Sequence, residues 1–355
     1  MKNRLNFDEL TQGLGWSDLE NSFDRQAIET EFQKRDETQS LPIKILSIFG
    51  GIMASSTLSG FLFSFGILEN KLAQLIFGLI FLVGAIFFSR KTKMLLMDTI
   101  AVSGLILGFI LLGLGLEDYH LSDEAALLII CIVATVSLNF VCNYIMTFIL
   151  VLIACGTLLA SLNAADLDNL SYFYVPALGL VLAHLYIKEA RIISKRNFFS
   201  IRYNPIRTAL TFCLIAGLIY LTLDSDFILT NYYALCSSLS FIVLSFVALH
   251  FVFEKLAIEN KRTMILLYLL CLCCLLPTIF APAISGAIFL ILISFLANYK
   301  TGFVLGILLL LYAVSRFYYD LDISLLDKSI AMMISGAFFI ILYFVSLKLS
   351  RHEEN

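Results

Sequence analysis

The run EAALLIICIVATVSLNFVCNYIMTFILVLIACGTLLASL, Glu124 to Leu162, carries a charge at its first residue and none after it. A bilayer core about 30 Å thick is crossed by about twenty helical residues. The run is therefore too long for one span, and Asn139, Cys142 and Asn143 mark where it divides. Lipid supplies no water to backbone amides and carbonyls, which leaves helices as the spanning element for sequences of this kind. Two helices joined by a tight polar turn follow, and the chain on either side repeats the pattern.

Further apolar runs lie near 43–66, 71–89, 94–116, 171–187, 206–223, 231–253, 263–280, 282–299, 302–319 and 325–347. With 124–142 and 144–162 they make about twelve. The reading is an all-α, polytopic transmembrane helical bundle over 43–355, preceded by a polar head over 1–42. Composition agrees, with 60% hydrophobic and 14% charged residues and a mean hydropathy of +0.91, far from the balance of water-soluble domains. Pro277 and Pro282 bracket a tight turn, while Pro176 is expected within the first two turns of its helix, where a missing amide matters least.

Lys and Arg collect in alternate connectors: Arg90–Lys93, Lys188–Arg207, Lys255–Arg262, Lys300, and Lys348 with Arg351. Basic connectors are retained in the cytoplasm, so both termini are expected there. The other connectors hold Lys71, Arg316 and Lys328 as their bases and are otherwise acidic. The count must be even, because losing one span would place the connector richest in bases outside.

In the head, Ser17 can cap a helix with Leu19, Phe23 and Ala27 on one side, an amphipathic element lying on the membrane or on the cytoplasmic loops. The amino terminus lacks the pattern of a cleaved leader, and the first apolar run is expected to direct insertion and stay. No nucleic-acid-binding face is present. The eight cysteines lie in or beside apolar runs and read as small hydrophobes, with no disulfide framework. Cys271–Cys274 has no His or carboxylate in its helix to complete a zinc site, and Glu117–His120 has ligand types suited to a divalent metal but no second cluster beside it, so no metal or cofactor is expected.

Ionisable residues within spans are the natural candidates for a substrate or proton path. Asp98, one turn into its helix and just past Arg90–Lys93, is either stabilised by the helix dipole and those bases or faces the bundle as a proton or cation ligand. His184 and His250 sit near helix carboxyl ends, where the dipole and interfacial water suit them. Gly104-x-x-x-Gly108 permits close helix packing, and Asn139, Asn143, Thr57, Ser137 and Ser240 can bridge helices. No nucleophile motif, phosphate loop or paired carboxylate argues for an enzyme.

The densest polar cluster between spans is RFYYDLDISLLDKS, Arg316 to Ser329. Ser324 and Asp327 have capping-box spacing, so the last helix is expected to begin at Leu325. Lys328 then lies in the first turn, against the dipole, and Asp320, Asp322 or Asp327 must compensate it. Arg316 can reach Asp320, and Tyr318 and Tyr319 suit the headgroup level. The cluster is either a charge-compensated anchor or a site for an anionic headgroup, solute or partner segment.

From Pro277 onward, the Pro-bounded hairpin, Phe317-Tyr318-Tyr319, Leu325-Leu326, Lys328-Ser329 and Gly336 resemble the bacterial polytopic membrane proteins of domain of unknown function family 4401, related to family 2157. Asp327 stands where that pattern leads one to expect glutamate, which keeps the carboxylate. The resemblance implies a bacterial inner-membrane location and no known activity. Beyond the lipid bilayer itself, the expected roles are small-solute transport or support of a transport or envelope system. Alternatives are a scaffold for another envelope protein and, third, an enzyme of lipid-linked substrates.

Overall fold

The computed structural model describes residues 70–91, 95–117, 121–141, 143–194, 198–223, 232–256 and 261–320, with scattered positions in 46–64 and 324–340. The expected head at 1–42 lies outside the described residues. Among these residues every regular element is helical. In chain order they are α1 (Lys71–Lys91), α2 (Leu95–Glu117), α3 (Asp123–Leu138), α4 (Tyr144–Ala164), α5 (Asp168–Ile187), α6 (Glu189–Ser194), α7 (Phe198–Leu223), α8 (Tyr232–Lys255), α9 (Lys261–Leu275), α10 (Pro282–Leu296) and α11 (Lys300–Asp320). Described positions in 46–64 and 326–340 are helical as well.

The long apolar run does divide where its polar residues fall. Helix α3 stops at Leu138, and Asn143 caps α4 by accepting the Ile145 amide at 2.9 Å. Three boundaries differ from the sequence reading. Helix α7 starts at Phe198, not near 206, so Arg202 and Arg207 belong to a helix and not to a connector. Their side chains find partners there, as described below, and Pro205 is accommodated inside the helix. Helix α5 starts at Asp168, which puts Pro176 in its third turn, beyond the segment where a missing amide has no cost. Near Pro277 the α-helical pattern gives way to a 3₁₀ turn, Leu276–Phe280, and the Thr278 hydroxyl donates to the Leu275 carbonyl at 2.7 Å.

Among the described residues seven helices, α1, α2, α4, α5, α7, α8 and α11, contain stretches long and apolar enough to cross a membrane. Helix α10 and the stretch Leu267–Phe280 are shorter apolar segments. Helix α1 shows why hydrophobic periodicity gives no facing here. Leu72, Ile76, Ile80, Val83 and Phe87 form an exposed apolar stripe, opposite the buried Leu82 and Ala85. Inside and outside are equally apolar, so no amphipathic contrast remains to be read.

The helices form two packed groups that share α4. One apolar cluster joins α1 to α4 through Leu82, Leu105, Ile130, Met146 and Leu150. The other gathers α5, α7, α8, α10 and α11 around Val175, Leu214, Phe241, Phe289 and Leu309, and takes Val151 from α4. Polar contacts along the seam tie α4 to the second group. Tyr144 donates to Thr208 at 3.3 Å, Tyr174 to the Cys155 carbonyl at 2.9 Å, and Tyr220 to Asn163 Oδ1 at 2.7 Å. Cys131, Cys155, Cys213 and Cys236 remain thiols.

Helices α1 and α2 approach most closely through glycine. A Cβ on Gly108 would lie 3.0 Å from the Gly78 carbonyl oxygen and 2.8 Å from Leu82 Cγ, whereas one on Gly104 would make an ordinary 3.5 Å contact with Ala85. The small-residue spacing on α2 thus faces α1, and Gly78 is its partner. Gly108→Val is expected to cost about 1–3 kcal/mol through overpacking, seen as a lower Tm of the detergent-solubilised protein. Gly84→Val, at a position where a Cβ meets nothing within 4 Å, should leave Tm unchanged.

Candidate functional site: a basic cleft beside an arginine-tyrosine cluster

The ends of α1, α3, α5, α8 and α10 and the beginnings of α2, α4, α7 and α11 meet at one end of the bundle, where most connector bases lie. A helix terminus leaves carbonyls without intrahelical partners, and in a tightly packed bundle they need side-chain donors. Around the α3–α4 turn these are two arginines from other helices. Arg90 Nε donates to the Phe140 carbonyl at 2.9 Å, with its guanidinium 5.7 Å from the Phe140 ring centre. Arg202, only 4% exposed, donates through Nε to the Val141 carbonyl and through Nη2 to that of Asn139 at 3.5 Å. Asp98 completes the arrangement by accepting from Asn143 Nδ2 at 2.9 Å. It lies at the same end as the turn it holds, in the first turn of α2.

Beside this turn, Arg207 on α7 is paired with Glu189 on α6, Nη1 to Oε1 at 3.1 Å, with the two side chains 14% and 31% exposed. Three tyrosine rings surround the guanidinium. Their centres lie 4.5 Å (Tyr299), 5.3 Å (Tyr203) and 5.8 Å (Tyr186) from Cζ, within the range of cation–π attraction. Tyr203 donates to the Leu185 carbonyl at 3.2 Å, and the Tyr186 and Thr211 hydroxyls are 3.5 Å apart. These contacts join α5, α6, α7 and the α10–α11 turn.

Tyr299 also lines a cleft of about 710 Å³ between the end of α8, the end of α10 and the start of α11. Its charged residues are Lys255 and Lys300, and its apolar wall includes Leu256, Phe295, Phe303 and Val304. Lys255 Nζ donates to the Leu296 carbonyl at 2.7 Å, which satisfies a terminal carbonyl of α10 and fixes the ammonium at the rim. The turn below is a Schellman-type cap, with the Tyr299 amide bonded to the Ser294 carbonyl at 2.9 Å and Asn298 left-handed at φ 53°. Gly302 lets Tyr299 lie flat against α11, since a Cβ there would come within 2.5 Å of its ring.

The cluster singled out in the sequence lies at the opposite end. Arg316, Tyr318 and Tyr319 occupy the last turns of α11, and the two tyrosine rings meet edge to face at 5.7 Å. Ser324 donates to Asp327 Oδ2 at 2.7 Å and accepts the Asp327 amide at 3.2 Å, a reciprocal cap at the expected spacing. Lys328 Nζ stands 5.2 Å from the centre of the Tyr318 ring, an aromatic contact where the sequence suggested a carboxylate partner. Asp322 lies outside the described residues, and Asp320 ends α11. His184 is exposed in the last turn of α5, and His250 Nδ1 is 3.2 Å from the Tyr268 hydroxyl, linking α8 to α9. The structure therefore does not bring Asp98, the two histidines and the 316–329 cluster together. Arg202, Arg207, Glu189, Tyr186, Tyr203 and Tyr299 were not foreseen as a unit. The available signal was tyrosines beside two basic connectors, Tyr186 and Tyr203 at Lys188–Arg207 and Tyr299 at Lys300.

An all-helical bundle with several apolar helices of membrane-spanning length defines the class. Within it, the family model described as Domain of unknown function (DUF4401) matches residues 40–349, and the chain belongs to that family. Neither a curated protein nor a solved structure matches it.

Arg202→Met should lower stability by about 1–3 kcal/mol, because it strands the carbonyl of the buried Val141 in the α3–α4 turn. The readout is the Tm of the solubilised protein. Lys188→Met, which removes an exposed base at the same end, should change it little.

Proposed function

We propose that this chain is a twelve-span protein of the bacterial inner membrane, with both termini and the base-rich end in the cytoplasm, and that it binds an anionic group at that inner surface. The orientation rests on the distribution of Lys and Arg among the connectors. The family membership and the seven long apolar helices support the membrane location. The observation that carries the binding role is the cleft whose charged lining residues are Lys255 and Lys300. Arg207 behind it is neutralised by Glu189, so the local excess of positive charge belongs to the two lysines at the rim.

Binding is favoured over solute transport by what fills the interior. Three apolar clusters occupy the space between the described helices; Thr157 and Ser245 direct their hydroxyls to carbonyls of their own helices, while Thr147, Ser237 and Ser238 are buried without a hydrogen-bond partner among the described residues. Asp98, the ionisable residue in the first turn of α2, is engaged with Asn143. A protein that holds an anionic ligand or partner against a fixed framework agrees with these features, without ATP or a cofactor.

For orientation, alkaline phosphatase fused after Arg196 or Glu259 should be inactive, and fused after Ser225 active. The reverse pattern overturns the placement of the base-rich end. For binding, glycerol phosphate should raise the Tm of the purified protein and do so less in the Lys255→Gln/Lys300→Gln variant. An equal shift in both proteins removes the cleft from the proposal.

A further inference from the structure

We infer that the occupant of the α8–α10–α11 cleft is a membrane phospholipid with an anionic headgroup, entering sideways from the inner leaflet. The inference rests on the binding role just proposed and adds the class of ligand.

Three features of the cleft support a lipid over a soluble anion. The first is the division of its lining, with Lys255 and Lys300 at the rim and Val252, Leu256, Phe295, Phe303 and Val304 on the walls. A small hydrated anion has no use for that much apolar wall, whereas a headgroup with acyl chains matches both parts. The second is continuity with the outer surface of the bundle. Leu256, Phe295 and Val304 are 57%, 54% and 55% exposed, and Ile307, Leu308 and Leu311 continue the exposed apolar surface along α11. Acyl chains leaving the cleft would run down this surface without crossing a polar barrier.

The third feature is the polar floor. Ser294 is fully buried and lines the cleft, and its hydroxyl has no hydrogen-bond partner among the described residues. The hydroxyls of Ser89, Thr147, Ser237 and Ser238 are buried in the same state, but of these five Ser294 is the one that lines the cleft, where a donor or acceptor brought by a ligand can reach it. Asn298 also lines the cleft, at a left-handed position where glycine is the usual residue. Its side chain adds an amide to the lining that glycine would lack. Lysines near a bilayer surface attract anionic headgroups, and Lys255 is held at the rim by its bond to the Leu296 carbonyl.

The test uses the full-length protein in nanodiscs of phosphatidylcholine, with phosphatidylglycerol or soluble glycerol phosphate as the added probe. Phosphatidylglycerol should bind and raise Tm, and retained lipid should be visible by native mass spectrometry. Lys300→Gln, which leaves the Lys255 bond in place, should weaken lipid binding about fivefold. Val304→Ser should weaken phosphatidylglycerol binding and leave the response to glycerol phosphate unaltered. Glycerol phosphate acting as strongly as the lipid, with Val304→Ser silent, would overturn the lipid inference and leave the anion-binding role standing. No response to either probe would overturn both.

Discussion

The carbonyls of Asn139, Phe140 and Val141 set the terms for the base-rich end. Of these residues Val141 is fully buried while Asn139 and Phe140 are exposed, and a buried acceptor left without a donor costs more than an ordinary hydrogen bond contributes. Here the donors are Arg90 from α1 and Arg202 from α7. A charged donor gives the stronger bond, but a buried guanidinium needs acceptors as much as the carbonyls need it. That mutual requirement fixes α7 against the α3–α4 turn and joins one packing group to the other. Asp98 and Asn143 complete the same junction from α2 and α4.

Arg207 follows the same rule with different partners. Its ion pair with Glu189 and its three tyrosines hold the short α6, the start of α7 and the α10–α11 turn in one place. Tyr299 belongs to this cluster and to the cleft, so the framework and the proposed binding surface share a residue. The opposite end is built more locally: Ser324 and Asp327 close a cap within one turn, and Lys328 rests on the Tyr318 ring.

What could be read in the sequence follows the range of the interactions. The apolar runs, the division at Asn139–Asn143, the cap at Ser324 and the small-residue face of α2 each depend on residues close together in the chain. The length of α7 did not, because Arg202 and Arg207 look like connector bases until Val141 and Glu189 are seen beside them. Asp166 and Asn298 end helices in the left-handed conformation that glycine usually marks, so those turns lacked their customary signal. The facing of α1 was illegible for a simpler reason: with apolar residues on every side, nothing in the pattern distinguishes neighbour from surroundings. The cleft was hidden because its residues come from three segments, Val252–Leu256, Ser294–Lys300 and Phe303–Val304.

The reach of Arg202 back to Val141 has a consequence during synthesis. Arg90 is made before the turn it serves, whereas Arg202 is made 61 residues after Val141. At a ribosomal rate of about 5–20 residues per second, the nascent hairpin of α3 and α4 exists for several seconds with Arg90 made and its second arginine missing. Helices α1 to α4 are therefore complete before the arginine that ties their α3–α4 turn to α7 has been made.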